Sequence, residues 1–363
     1  MKKLYLFMVG LLLTSFCWSQ VELTPEEQAY QDSINKVNAE NAATAEAQEA
    51  YNLGIELFGK GKFKEAIGSF NKAISGDPNF QAAYYNKGVA QYEAKDMKGC
   101  IATLNKLIKM NDEHDRAYFQ RGLAHQADGD YEAALSDYNQ VTFFAPDDVK
   151  AYYNAGTVLF LMEKYEDAIP LFTKCTEMEP KDYKAYNDRG SCYRMLQKFD
   201  MALADYEKAG KYGPKHAFVF NNLGSVKKMM KDYDGAKNDF TKAMSLDPDF
   251  FLAYNNRGAM LLEQEKNEEA LRDFDKVIEM NPNYAPAYNN RGIIKHRKED
   301  YKGAIKDFDK AISLNKNYAE AYANRGVSRE MNRDMEGACA DWSTASELGS
   351  SLGKTYQSAN CEF

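Results

Sequence analysis

Residues 251–284 read FLAYNNRGAMLLEQEKNEEALRDFDKVIEMNPNY, and residues 285–318 read APAYNNRGIIKHRKEDYKGAIKDFDKAISLNKNY. Aligned, they share tyrosine at the fourth place, glycine at the eighth, alanine at the twentieth and phenylalanine at the twenty-fourth. The phase extends in both directions. Gly54, Gly88, Gly122, Gly156, Gly190, Gly224, Gly258, Gly292 and Gly326 follow one another at intervals of 34 residues. A fixed period of this length marks a stack of repeats and not a single globular core. Counting each glycine as position 8, nine repeats fill residues 47–352: 47–80, 81–114, 115–148, 149–182, 183–216, 217–250, 251–284, 285–318 and 319–352.

The other positions say what each unit is. Position 20 is small throughout, from Ala66 through Cys100 to Ala338, and position 24 is large, from Phe70 to Trp342. Position 4 is aromatic from Tyr84 to Tyr322, with Ala50 the exception. Apolar residues recur in steps of three and four, a helical period. A turn near position 15, where Gly61 and Gly129 stand, divides the unit into helices A and B. Proline at position 32, as in Pro146, Pro214 and Pro282, stops helix B. The glycine and the small residue let the two helices approach, with the rings filling the space beside the crossing. A bulky residue at Gly258 is therefore expected to overpack it, at about 1–3 kcal/mol.

The pattern Tyr-x3-Gly-x11-Ala-x3-Phe-x7-Pro, carried by Tyr254, Gly258, Ala270, Phe274 and Pro282, resembles the tetratricopeptide repeat. The resemblance implies an all-α fold, a right-handed α-solenoid superhelix whose A helices line a concave groove that usually takes peptides. The carboxylate clamp of chaperone-binding members needs lysine at position 5 and asparagine at position 9, and no repeat here has either.

Within that frame, variation between repeats marks candidate binding residues. Position 6, which the resemblance turns toward the groove, holds Asn52, Asn86, Asn154, Asn222, Asn256, Asn290 and Asn324, with Gln120 and Asp188 at the other two places. An amide offers donor and acceptor together, so a ladder of them suits the backbone of an extended peptide. The alternative is that each amide bonds the neighbouring repeat. Position 5 changes from Tyr51, Tyr85, Phe119 and Tyr153 to Asn187, Asn221, Asn255 and Asn289. Phe58, Tyr92 and Phe160 add rings at position 12; Arg116, Lys150 and Lys184 at position 2, with Arg194 and Lys228 at position 12, add cations in the middle. The reading is an aromatic first half, a polar second half, and a partner with an apolar segment and an acidic one. Alanine at Tyr85, Phe119 and Tyr153 together is expected to abolish capture and leave helicity intact.

Arginine at position 7 (Arg121, Arg189, Arg257, Arg291, Arg325) goes with aspartate at position 23 of the same repeat (Asp137, Asp205, Asp273, Asp307, Asp341). This co-occurrence predicts a bridge between helices A and B. No metal-ligand spacing, nucleophile elbow or phosphate loop occurs, so no cofactor and no enzymatic activity are expected. A net charge of −8 without a long basic run disfavours nucleic acid and anionic lipid.

The two ends carry separate expectations. Lys2 and Lys3 followed by the apolar run Leu4–Phe16 read as a cleavable signal peptide, residues 1–19, directing export, with the periplasm favoured and secretion or outer-membrane association as the alternatives. Phe16 before Cys17 argues against a lipid anchor. Residues 20–46 read as an N-terminal helix or a polar tail. Residues 353–363 read as a capping helix with a stripe of Leu352, Tyr356 and Ala359. Cys339 and Cys361 are the candidate disulfide, since the capping helix must lie beside the last helix B; Cys100 and Cys175 read as small core filler. The expected role is a protein-interaction scaffold holding an extended peptide or protein segment. The alternative is an assembly subunit of a cell-envelope complex using its convex face or ends.

Overall fold

A computed structural model describes residues 45–361. The predicted leader and all but two residues of the predicted N-terminal segment lie outside the described residues. Contacts divide the chain at Glu179 and Pro180 into two compact units. The first holds repeats one to four, as the helix pairs Ala45–Gly59 and Phe63–Gly76, Gln81–Glu93 and Met97–Met110, Asp115–Asp128 and Tyr131–Phe144, and Val149–Leu161 and Tyr165–Met178. The second holds repeats five to nine: Tyr183–Met195 and Phe199–Tyr212, Ala217–Met229 and Tyr233–Leu246, Phe251–Glu263 and Asn267–Met280, Ala285–Arg297 and Tyr301–Leu314, and Ala319–Met331 and Met335–Glu347. A closing helix, Ser351–Asn360, follows. All regular structure among the described residues is helical, and each unit is an α-solenoid of paired helices.

The A–B turn has one geometry in all nine repeats. Position 15 is left-handed in each, with φ of 73° at Gly61 and 85° at Gly129. The other seven carry side chains there: Lys95, Glu163, Gln197, Lys231, Glu265, Glu299 and Arg333, with φ between 57° and 67°. Each of those side chains brings Cβ against the following carbonyl oxygen. One residue later stands the N-cap of helix B. Asp96, Asp130, Asp232, Asp300 and Asp334 cap it by accepting the N–H three residues on.

The repeat glycine is a seat for the ring at position 24. A Cβ built on Gly258 would stand 2.9 Å from Phe274 Cε1, and one on Gly326 would stand 2.5 Å from Trp342 Nε1. Ala270 and Phe274 are fully buried, as are Ala304 and Phe308 in the next repeat. Each core is thus built where A and B of one repeat cross, and it continues into the next A helix: Met260, Leu261 and Ile294 join Phe240 and Phe274 in one cluster.

The closing helix departs from expectation. Helix B of repeat nine stops at Glu347, Gly349 turns the chain at φ 91°, and Ser350 accepts the Gly353 N–H at 3.2 Å. The helix therefore starts at Ser351, two residues early. Gly353 is its buried residue, Tyr356 is half-buried, and Leu352 and Ala359 are exposed, so the expected stripe is turned. Cys339 and Cys361 are joined, with Cα atoms 5.7 Å apart.

Candidate functional site

The site begins with helix A, and in repeats three, five, seven, eight and nine an Arg–Asp pair ties that helix to helix B. In unit two, Arg257 donates from Nε and Nη2 to both Asp273 oxygens at 2.9 and 2.7 Å. Arg291 does the same to Asp307 at 2.9 and 2.7 Å, and Arg325 to Asp341 at 2.8 and 2.5 Å. Arg189 with Asp205 and, in unit one, Arg121 with Asp137 repeat the fork. The aspartate side chains are 4–6% exposed. Sequence reasoning found this bridge but missed its third arm. Nη1 reaches back 16 residues to position 25 of the preceding repeat: Arg121 to Asn105, Arg257 to Thr241, Arg291 to Asp275 and Arg325 to Asp309. Oxygen-bearing side chains at position 25 were the available signal. Repeat six, with Leu223 in place of arginine, uses Lys227 at position 11 to meet Asp239 at 2.7 Å. Burial still pushes the Asp239 carboxyl above its ordinary value, with Lys227 opposing.

Positions 5 and 6 meet between successive A helices. In unit two, Asn222 donates to Asn187 Oδ1 at 2.9 Å, Asn256 to Asn221 at 2.9 Å and Asn324 to Asn289 at 3.0 Å. The amides therefore do bond the neighbouring repeat. Asn187, Asn221, Asn255 and Asn289 are buried, so the polar groove face expected from position 5 is not presented. Asn255 Oδ1 is buried without a partner, at the junction where Asn290 forms no rung; Asn290 instead accepts from Asn289 at 3.4 Å. The position-6 amides themselves stay part-exposed.

Unit one replaces the lower amide by a ring. Asn86 donates to the Tyr51 hydroxyl at 2.8 Å, and burial pushes that hydroxyl up to about 12. Tyr51 packs on Phe80 with centroids 4.8 Å apart, Tyr85 stacks on His114 at 5.7 Å, Phe119 meets Tyr138 at 5.7 Å and Tyr153 meets Phe172 at 5.8 Å. These rings are half-buried parts of the core edge. The triple alanine variant would therefore loosen the fold as well as the surface, contrary to the expectation above. Phe58 and Phe160 lean on Phe63 and Tyr165, each at 5.2 Å. Asn52 is exposed and accepts from Gln48 at 3.0 Å; Asn154 donates to the Lys150 carbonyl at 2.8 Å.

The expected cations divide. Lys150 and Lys184 are exposed, and Arg116 is half-buried. Arg194 donates to the Tyr206 hydroxyl at 3.4 Å and Lys228 pairs with Glu263 at 3.4 Å, so both are engaged within the fold. Among the described residues no group of three or more histidine, cysteine or acidic side chains could hold a metal, and no helix is long and apolar enough to cross a membrane.

Family models described as tetratricopeptide repeat match residues 251–284 and 285–318, 171–204, 101–149 and 119–173, 219–250, and 82–113. One described as TPR repeat matches residues 54–95. No curated protein matches the sequence. Among solved structures, pilF of Pseudomonas aeruginosa superposes with a TM-score of 0.52 over 58% of this chain and 96% of its own, at 20% identity. A chain of the APC/C hetero-tetramer Cut9–Hcn1 superposes with a TM-score of 0.58 over 93% of this chain and 81% of its own, at 12% identity. YrrB, a TPR protein with an unusual peptide-binding site, aligns over 51% of this chain and 95% of its own at 25% identity, with a TM-score of 0.41. The first two likenesses show the fold. It is one used by protein-interaction scaffolds, and such proteins are typically non-enzymatic. With these models matching from residue 54 to 204 and from 219 to 318, the chain belongs to the tetratricopeptide repeat family.

Proposed function

We propose that this chain is a non-enzymatic scaffold that binds an extended peptide or protein segment along the A-helix face of its repeats. The observation that carries the reading is the state of the position-6 amides in unit two. Asn222 and Asn324 are each held by one hydrogen bond to a buried asparagine below, and Asn256 by that bond and by a second in which its oxygen accepts from Asn255 at 3.4 Å, yet all three remain part-exposed. One hydrogen of each Nδ2 is used, leaving the second hydrogen of all three, and the oxygens of Asn222 and Asn324, to bond a peptide group. A side chain already ordered by its neighbour loses less entropy on binding. Lys150 in unit one and Lys184 in unit two each supply exposed positive charge at position 2 that suits an acidic partner residue.

A second reading rests on Phe143, which is 76% exposed on helix B of repeat three and touches Phe144 edge-on at 5.2 Å. It favours an assembly subunit that engages partners through helix B. Photo-crosslinking in an envelope extract separates the two. A benzophenone side chain at Lys150 or Lys184 is expected to give a discrete adduct, and one at Gln140 or Lys174 on helix B none. The reverse pattern defeats the groove reading.

Export is part of the proposal. The basic and apolar leader sequence supports it, and so does the Cys339–Cys361 bond, because such bonds persist in oxidising compartments. N-terminal sequencing of the protein from an envelope fraction is expected to begin at Gln20; a retained Met1 would remove this element.

A further inference from the structure

The closing helix lies against both helices of repeat nine with most of its residues exposed. Of its ten residues one, Gly353, is buried, and Leu352 is 43% exposed. Three features stand out where it meets helix B of repeat nine. Gly353 lies so near Ala345 that a Cβ on it would fall 2.5 Å from the alanine's own. Tyr356 stacks on Trp342, with centroids 5.1 Å apart and planes 18° apart. The third is the bond from Cys339 to Cys361. Both bonded cysteines are part-exposed, whereas Cys100, Cys175 and Cys192 are buried and belong to no disulfide. A ten-residue helix is too short to persist in water once it leaves its support.

We propose that the Cys339–Cys361 bond is a thiol-sensitive latch, and that a dithiol reductant opens it to release the closing helix and uncover the Trp342 edge of repeat nine. The thiolate of the dithiol attacks one bonded sulfur, forming a mixed disulfide and expelling the other cysteine as a thiolate, which takes a proton. The second thiol of the dithiol then closes its own disulfide and frees the remaining cysteine. Two electrons and two protons pass to the protein. The latch closes a loop across 22 residues, and losing that constraint raises the undocked fraction by about two orders of magnitude. The edge uncovered is the helix-B surface that each internal repeat of this unit lends to the next A helix, as Phe240 does beside Met260 and Leu261.

Trp342 is the sole tryptophan among the described residues, so it reports the event directly. In full-length protein carrying Trp18→Phe, hydrogen exchange of residues 351–360 and acrylamide quenching of Trp342 are measured with and without dithiothreitol. Reduction is expected to speed exchange in 351–360 by about 100-fold, to raise quenching at least twofold, and to leave residues 217–314 unchanged. The double variant Cys339→Ser/Cys361→Ser is expected to show the reduced behaviour without dithiothreitol and no response to it. Exchange in 351–360 that stays within twofold on reduction overturns the latch, as does a dithiothreitol response that persists in the double variant.

Discussion

At the scale of single residues, position 15 concentrates the backbone cost of the repeat. Seven side chains occupy a left-handed turn that glycine fills twice. Gly129→Ala is expected to lower stability by about 1–2 kcal/mol, read from the urea midpoint, because the methyl must be accommodated at φ 85°. The opposite exchange, Glu265→Gly, relieves that contact and is expected to leave stability level or raise it. Histidine supplies a second residue-scale test. His114 Nδ1 accepts the Ala117 N–H at 3.2 Å to cap its helix, and burial pushes the imidazole below its usual 6.5. The neutral form is therefore favoured in the fold. Its contribution is complete above about pH 6.5 and is lost as the pH falls, because the unfolded chain takes the proton first, at up to about 1.4 kcal/mol per pH unit. Urea midpoints between pH 7.5 and 5.5 are expected to fall, and His114→Asn, which caps without titrating, is expected to flatten part of the slope.

Paired helices are held at the next scale by the arginine fork, and repeat six is a natural experiment within it. Leu223 stands where five other repeats carry arginine, and Lys227 meets the position-23 aspartate instead. Arg257→Leu strands Asp273, which is 4% exposed, and is expected to cost about 3–5 kcal/mol. Adding Leu261→Lys places a lysine at the position Lys227 holds in repeat six. The double variant is expected to recover part of the loss but not all, since a single ammonium does not replace a two-pronged guanidinium. Thermal melts of wild type, single and double variants check this; a double variant no better than the single would show that the lysine geometry of repeat six is not transferable.

For the molecule as a whole, the architecture was written in one period. Gly258, Ala270 and Phe274 could be read as a helix crossing because close packing leaves few residue types able to fill it. The Arg–Asp bridge was legible because Arg257 and Asp273 vary together between repeats. The candidate site was less legible for a physical reason. A residue such as Asn221 or Tyr85 faces its own helix partner, the next repeat and the groove edge at once, and its type does not say which of these claims it. Asn256 could serve a ligand and a neighbour, and its geometry shows the neighbour served first. The start of the closing helix depended on Gly349 and Ser350, a turn and a cap that belong to no repeat position.

The rungs between repeats bear on how such a chain can change its length. Every amide rung in unit two runs from a later residue to one 35 positions earlier: Asn222 to Asn187, Asn256 to Asn221, Asn324 to Asn289. Donor and acceptor therefore never belong to the same 34-residue segment, and no rung is private to one pair. Excising residues 251–284 would set Asn290 over Asn221 and bring Asn222 and Asn324 no harm. The partnerless Asn255 oxygen would leave with the excised segment. Removal of that one segment would therefore place an asparagine over an asparagine at the new seam, and the reach of the surface becomes a number that recombination can count.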